Sequence, residues 1–455
     1  MSESYSSILS GFLSETQELI ERVDELPMET AVELYDMYDE AAKSATANIQ
    51  LINPEMRVEL CDGQDRILER IIDLGIPANP ISAKKIYTPA VQDYRHWNNT
   101  ELMKDKGLVG CFLAREIGSK SVMFYGDING EYDYLSYLPE TEIQFSDITS
   151  GEIYLEHLNK YHSEMDILIL HGMYEQTIYY LYEYRKLRPD SRVYCGLDMN
   201  SYWMNNIIWD SLPALNFSKN CDLIATSCRF LRDELNRSPK VSFPCRWFPN
   251  GFYNPTDIQI VADYKQKKNV IVTVGRIGTN QKNNLELMLA FAKVSNLIPD
   301  WSLRLVGTIE PEFQYTINKY FSEFSDLTER VIFVGEVSDK KDLYSEYANA
   351  KIFALTSKLE GGTPNVYAEA LFHGCMFITS DIDAADYITD FGRLGIKYKF
   401  NDIDELASAI LKMCSQSDEN AFRKHIPKAL EYANKYYDWN RNAKKLAYMI
   451  SKCKA

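Results

Sequence analysis

Two short stretches combine residue types suited to phosphate and sugar chemistry. The first runs Gly275-Arg276-Ile277-Gly278-Thr279-Asn280-Gln281-Lys282. Arg276 offers a planar fork for phosphate oxygens, and Lys282 adds a compact point charge. The second runs from Ser357 to Gly374. Glu360, Gly361 and Gly362 make a loop that lets a ligand approach the backbone. Thr363 is placed as N-cap, Pro364 as first helical residue, Asn365 next, and Gly374 as the stop. The free N–H groups and dipole of such a helix start attract phosphate. Glu360 is able to accept hydrogen bonds from a neutral polyol, and Glu369, lower on the helix, from a second pair of hydroxyls. Taken singly, each feature reads as a surface cation or a capped helix; their co-occurrence carries the argument.

The elements that must position these residues alternate. Short β-branched runs at 121–125, 166–170, 192–197 and 222–226 are followed by a second series at 269–274, 302–306, 331–334, 351–356, 375–379 and 396–400. Helical stretches separate them, as at 284–294, 340–350 and 405–413. Such alternation predicts parallel sheets with helices on both faces, here two facing doubly wound Rossmann-like domains. Pro249, Gly251 and Pro255 punctuate the junction, between Asn250 and Asp257. Open parallel sheets bind ligands beyond the carboxyl ends of their strands. That singles out His171, Asp198 and Ser227 in the first series, and Gly275, Gly307, Gly335 and Ser357 in the second.

The chain has 455 residues, 45% hydrophobic and 25% charged, with a net charge of −16. Length and apolar content predict two to four domains and exclude both a disulfide-stapled mini-protein and a disordered chain. The missing basic footprint excludes non-specific nucleic-acid binding. Nine scattered cysteines, an odd number without C-x-x-C, argue against a disulfide framework and a zinc site. With no apolar run long enough to span a bilayer and no secretory pattern at Met1–Gly11, the cytoplasm is the expected location. Arg185, Lys186, Arg188 and Arg192 form one basic run that a peripheral place at the inner membrane face could use; a solvated helix end is the plainer reading.

Residues 1–50 hold eleven acids against Arg22 and Lys43, a net charge of 2 − 11 = −9. Leu9, Phe12, Leu13, Leu19, Ile20, Val23 and Leu26 recur at helical spacing, and another helix carrying Ile67, Leu68, Ile71 and Ile72 ends at Gly75 and Pro77. Residues 1–85 therefore read as an acidic helical extension. It packs on its own chain or serves as an oligomer or partner interface. As an addition, it should be dispensable for donor binding in a chain starting near Ser82. If Leu19, Ile20, Ile67 and Ile71 belong to a core, that shortened chain should aggregate.

From about Asp166 to Trp439 the sequence resembles retaining glycosyltransferases of the GT4 kind, with the two-domain GT-B fold. The resemblance rests on Gly275-Arg276 with Lys282, Leu305-Val306-Gly307, Val334-Gly335-Glu336-Val337-Ser338 and the loop and helix from Glu360 to Glu369. Ala225-Thr226-Ser227 and Pro249-Asn250-Gly251 add to it. It implies an N-terminal acceptor domain at 86–255, a nucleotide-sugar donor domain at 256–436, and a final helix, 437–455, crossing back to the first domain. It also implies that Arg276 and Lys282 neutralise the donor diphosphate and that Glu360 holds sugar hydroxyls. Gly275 and the segment Gly361, Gly362, Thr363, Pro364 and Asn365 would lie around sugar and phosphate, Glu369 at the ribose and the Val337 backbone at the base. Gly107, in Lys106–Gly110, would be the first domain's glycine loop. Both the Arg276–Lys282 and the Glu360–Glu369 spacing are one residue longer than is usual in that family. Many relatives carry histidine where this chain has Asp198; Asp198 and His171 are candidate acceptor or sugar contacts.

The expected protein is a metal-independent hexosyltransferase-like enzyme moving sugar from a UDP-sugar to a glycan, lipid-linked or protein hydroxyl. It would use no cofactor beyond that co-substrate. The alternative is a non-catalytic subunit docking a partner glycosyltransferase through the acidic extension. Asp381/Asp383 and Asp402/Asp404 imitate a D-x-D metal motif but are expected to be turn and capping residues. The histidines (His96, His157, His162, His171, His373, His425) show no metal-ligand spacing. His373 is expected to complement its helix dipole.

Overall fold

The computed structural model describes residues 4–453 apart from 76–80, 82, 91–96, 128, 147–151, 257–259 and 261. Pro77, Ser82, His96 and Asp257 lie outside the described residues. The chain forms two compact units. One comprises residues up to Pro249 together with those from Trp439; the other is Asn250–Asp438.

The first unit is built on seven parallel strands: β1 (Lys85–Pro89), β2 (Lys120–Asp127), β3 (Thr141–Ser146), β4 (Met165–His171), β5 (Arg192–Leu197), β6 (Leu223–Thr226) and β7 (Cys245–Trp247). Their order is β3-β2-β1-β4-β5-β6-β7. The second has six: β8 (Lys268–Val274), β9 (Ser302–Val306), β10 (Val331–Gly335), β11 (Ala350–Leu355), β12 (Met376–Ser380) and β13 (Gly395–Tyr398), ordered β10-β9-β8-β11-β12-β13. All pairs within each sheet are parallel. Both orders reverse direction after the first strand of the series, between β1 and β4 and between β8 and β11. These are the switch points where open sheets bind ligands.

Strands read from apolar runs fall where expected. β1, β3 and β7 do not show in the sequence. β1 ends on Pro89 and has only Ile86 and Tyr87 as large buried apolar residues. β3 alternates polar and apolar on a sheet edge, with Phe145 exposed, and β7 is three residues long.

The helical segment 1–85 does not stand apart as a domain of its own. Its helices α1 (Tyr5–Glu21), α2 (Met28–Ala47) and α3 (Glu55–Leu74) belong to the first unit. Ile20, Ile67 and Ile71 are buried, while Leu19 is exposed. The acids of the segment neutralise bases elsewhere in the unit. Asp62 and Asp65 take Arg232, which is fully buried, and Asp65 also meets Arg246 at 3.3 Å. Arg237 pairs with Glu55 at 2.8 Å. On the final helix, Trp439–Ser451, Arg441 holds Glu69 and Asp73 and Lys445 holds Glu69; just past its end, Lys452 holds Asp36. Arg57 runs the other way: buried on α3, it donates to the carbonyls of Ser238, Val241 and Phe243. Breaking a buried pair from one side costs about 3–5 kcal/mol, so this network fixes the segment in place.

The basic run is also structural. Arg185 donates to the carbonyls of Asn220 and Ser191 and to Asp222, and Arg188 to His162 O and Asp166. Both arginines tie a helix end to neighbouring loops instead of standing in solvent. No described helix is long and apolar enough to cross a membrane.

Candidate functional site

The two chemistry-bearing loops follow β8 and β11, the neighbours at the second sheet's switch point. Three adjacent strands end on glycines with positive φ: Gly275 (148°), Gly307 (140°) and Gly335 (82°). They form a hydrogen-bonded row, Gly275 N donating to Val306 O (2.9 Å) and Gly307 N to Gly335 O (2.8 Å). A Cβ on Gly307 would sit 1.8 Å from the Gly275 carbonyl oxygen, so no side chain fits there. The row leaves an edge of bare backbone beside the Arg276–Lys282 loop.

The loops are stitched to each other. Lys358 N donates to Gln281 O (2.7 Å), and Thr356 Oγ1 to Lys282 O (2.9 Å). Ser380 Oγ on β12 holds Ser357 O at 2.6 Å. On this frame Lys282 pairs with Glu360, whose Oε1 also accepts from Ser357 Oγ at 2.5 Å. Both side chains are largely buried, 16% and 10% exposed. Arg276 is exposed, and its Nη2 donates to Gln281 Oε1 at 3.1 Å. The structure therefore unites Arg276, Lys282 and Glu360, and adds Gln281, which the sequence reading passed over.

The helix behind the loop begins one residue later than expected. Pro364, in extended geometry, is the N-cap, and the helix is Asn365–Phe372; Thr363 precedes the cap and is buried. Proline carries no side-chain acceptor, so the helix start is left open as a cap with Thr363 would not leave it. Gly362 takes φ 69°, and Asn250 Nδ2 holds the Thr363 carbonyl at 2.9 Å. The Asn365 Oδ1 atom is buried with no hydrogen-bond partner among the described residues. Gly374 closes the helix at φ 70°. Glu369 lies one helical turn beyond Asn365 and accepts from the buried Tyr347 hydroxyl at 2.7 Å. Tyr347 has no sequence signal, because the contact spans two elements. Val337 follows β10, the outermost strand of the glycine row.

Burial pushes His373 down to about 4, and its Nδ1 lies 2.7 Å from Glu369 O. It is therefore neutral and complements the helix by a hydrogen bond, not by charge. Asp381 accepts from Phe400 N, Asp402 caps the helix Ile403–Ser415, and Asp404 pairs with Lys293. Below the Arg276–Lys282 loop, Glu286 is 3% exposed and burial pushes it up to about 7. It accepts from Asn283 Nδ2, whose backbone sits at φ 47° next to Lys282.

In the first unit, His171 ends β4 and Asp198 follows β5 directly. Lys106 Nζ lies 3.8 Å from Asp198 Oδ2. Burial, then Lys106, pushes His171 down to about 3, so it is neutral. Burial and Asp105 raise Asp198. Gly107 is not in a loop. It lies in the first turn of the helix Asp105–Ile117, where a Cβ would meet the Leu102 carbonyl at 2.3 Å; close packing explains the glycine.

Residues 268–416, all within the second unit, match the family model described as "Glycosyl transferases group 1". The match spans most of the second unit, and the two units together have the GT-B fold. Among solved structures, the chain resembles the lipopolysaccharide outer core galactosyltransferase WaaB (18% identity, TM-score 0.57, 81% of this chain and 99% of that one). It also resembles Anabaena HepE in complex with UDP (16%, 0.60, 81% and 99%) and sucrose-phosphate synthase from Thermosynechococcus elongatus (18%, 0.59, 80% and 98%). No curated protein sequence matches the chain.

Proposed function

We propose that the chain is a retaining glycosyltransferase that moves a sugar from a UDP-sugar to a hydroxyl of a glycan, lipid-linked or protein acceptor. The observation that carries this reading is the convergence of Arg276, Lys282, Glu360 and an open helix N-terminus on one switch point. Arg276 and Lys282 neutralise the diphosphate, and the amides at Gly361–Asn365 receive its oxygens. Glu360 accepts from sugar hydroxyls and Glu369, steadied by Tyr347, from the ribose. The glycine row admits the nucleotide, with the base near Val337. HepE's complexes with UDP and with UDP-glucose support the choice of base.

The acceptor oxygen attacks the anomeric carbon from the side on which the diphosphate leaves. The C–O bond to the diphosphate breaks, and the acceptor proton passes to a phosphate oxygen. Catalysis is electrostatic and positional, with Arg276, Lys282 and the helix start supplying the positive charge without a metal. The first unit handles the acceptor, with Asp198 and His171 as contacts.

A thermal-shift screen against UDP-, GDP- and ADP-sugars, followed by donor hydrolysis in EDTA, tests the reading. A UDP-sugar should raise Tm and be turned over with retention at the anomeric carbon. No shift with any nucleotide-sugar, or inversion, would overturn it.

A further inference from the structure

Gln281 is singled out neither by charge nor by the family resemblance, yet it joins the two halves of the candidate site. Its Oε1 accepts from Arg276 Nη2 at 3.1 Å. Its Nε2 donates to Leu359 O at 3.0 Å and, at greater length, to Glu360 Oε2 at 3.4 Å. Its main-chain carbonyl accepts from Lys358 N at 2.7 Å. The side chain thus needs an acceptor on one branch and a donor on the other. A carboxylate would serve Arg276 but offer the Leu359 carbonyl nothing, and an ammonium would do the reverse.

Lys282 raises a second question. Its ammonium is committed to Glu360. On the reading that a donor diphosphate binds here, which the present inference rests on, the same ammonium must serve the phosphate. Glu360 then loses its charge partner at the moment it is needed for sugar hydroxyls. The bonds left to its carboxylate are those from Ser357 Oγ and Gln281 Nε2.

We propose that Gln281 is a positioning residue that holds Arg276 and Glu360 in register while Lys282 passes from Glu360 to the donor diphosphate. Ser357 fixes Oε1 of Glu360, Gln281 fixes Oε2 and the neighbouring backbone, and Arg276 stays on the other side of the amide. Loss of the amide should therefore affect turnover more than nucleotide affinity, because Lys282 and the helix start remain.

The test uses the full chain with Gln281→Ala and Gln281→Glu. In Gln281→Ala, kcat should fall by about 30-fold or more while the Kd for UDP changes by less than about 5-fold, as expected for a group acting on the transition state. In Gln281→Glu, two carboxylates face each other, and the repulsion raises the pKa of the pair. Once protonated, the introduced carboxyl regains a donor, so kcat/KM of this variant should climb back towards the parent value as pH falls from 8 to 6. Gln281→Ala should show no such recovery.

A second readout needs no nucleotide. A carboxyl raised in the folded state destabilises it once pH exceeds the unfolded value. The Tm deficit of Gln281→Glu relative to the parent should therefore widen as pH rises from 5 to 8. Parent-like turnover in both variants would overturn the proposal, and so would a loss that is equal in both, independent of pH and matched by a fall in Tm. If the parent protein neither bound UDP nor turned over a UDP-sugar, the transferase reading would fall. The Tm profile would still decide whether Gln281 bridges Arg276 and Glu360.

Discussion

The first unit and the second use the same chemical pair, a basic side chain against a carboxylate, for opposite ends. Around α3, Arg232 is fully buried and meets Asp62, Asp65 and Asp233, and Asp62 and Asp65 each hold a second arginine, Arg229 and Arg246. At the β8–β11 switch point, Lys282 faces the carboxylate of Glu360 near the end of the strands, with Arg276 exposed beside it. A network with several partners per charge resists exchange. A pair of one cation and one anion is easily opened by a competing anion, and a diphosphate is a stronger competitor than a carboxylate.

The largest effect should come from breaking the first network. A chain lacking residues 4–75 would strip Arg246 of Asp39 and Asp65 and leave Arg232 with Asp233 alone. The first unit should then fail to fold, read as aggregation or loss of the cooperative unfolding transition. A soluble, fully folded shortened chain would show the segment to be an addition after all. Asp65→Ala is the milder form: a loss of about 3–5 kcal/mol in stability by denaturant unfolding.

The second network should respond in activity. Lys282→Ala should lower kcat/KM by about 10²-fold or more, as loss of a preorganised charge does, and also lower Tm, because Glu360 is left buried without its cation. Arg276→Ala should lower kcat/KM by a similar factor, about 10²-fold, with Tm unchanged, because Arg276 is exposed. Equal Tm in the two variants would remove the distinction between a largely buried, ion-paired cation and an exposed one.

The smallest effect concerns Glu286 beneath the same loop. Its raised carboxyl is neutral at low pH in the folded state and costs stability as pH rises from its unfolded value to about 7. Glu286→Gln should therefore gain on the order of 2 kcal/mol over the parent at pH 8 and nothing at pH 4. A pH-independent difference in Tm would contradict this.

Much of the second unit was legible in the sequence. Its strands are apolar runs, three of them leading into glycine, and Arg276, Lys282, Glu360 and Glu369 announce themselves by charge in the loops and helix that follow strands. Gln281 and Tyr347 gave no signal, since an amide or a phenol gains meaning only from a partner far along the chain. The first unit was less legible. β1 lies in the interior of its sheet, yet it has only two large apolar residues and ends on Pro89. The acidic segment read as an appendage because its partners, Arg232, Arg246, Arg441 and Lys445, lie far away in sequence. Charge imbalance in one stretch reported a complement elsewhere, not exposure. Gly107 shows the opposite error: a glycine in a suggestive string was serving helix packing.

The central claim, that Arg276 and Lys282 receive a nucleotide diphosphate at the β8–β11 switch point, is tested most directly by calorimetry. UDP and uridine would be titrated into the parent, Arg276→Ala and Lys282→Ala proteins. UDP binding should weaken by about 10-fold or more in each variant, about 1.4 kcal/mol, with uridine binding unchanged. UDP binding of parent strength in both variants would contradict it.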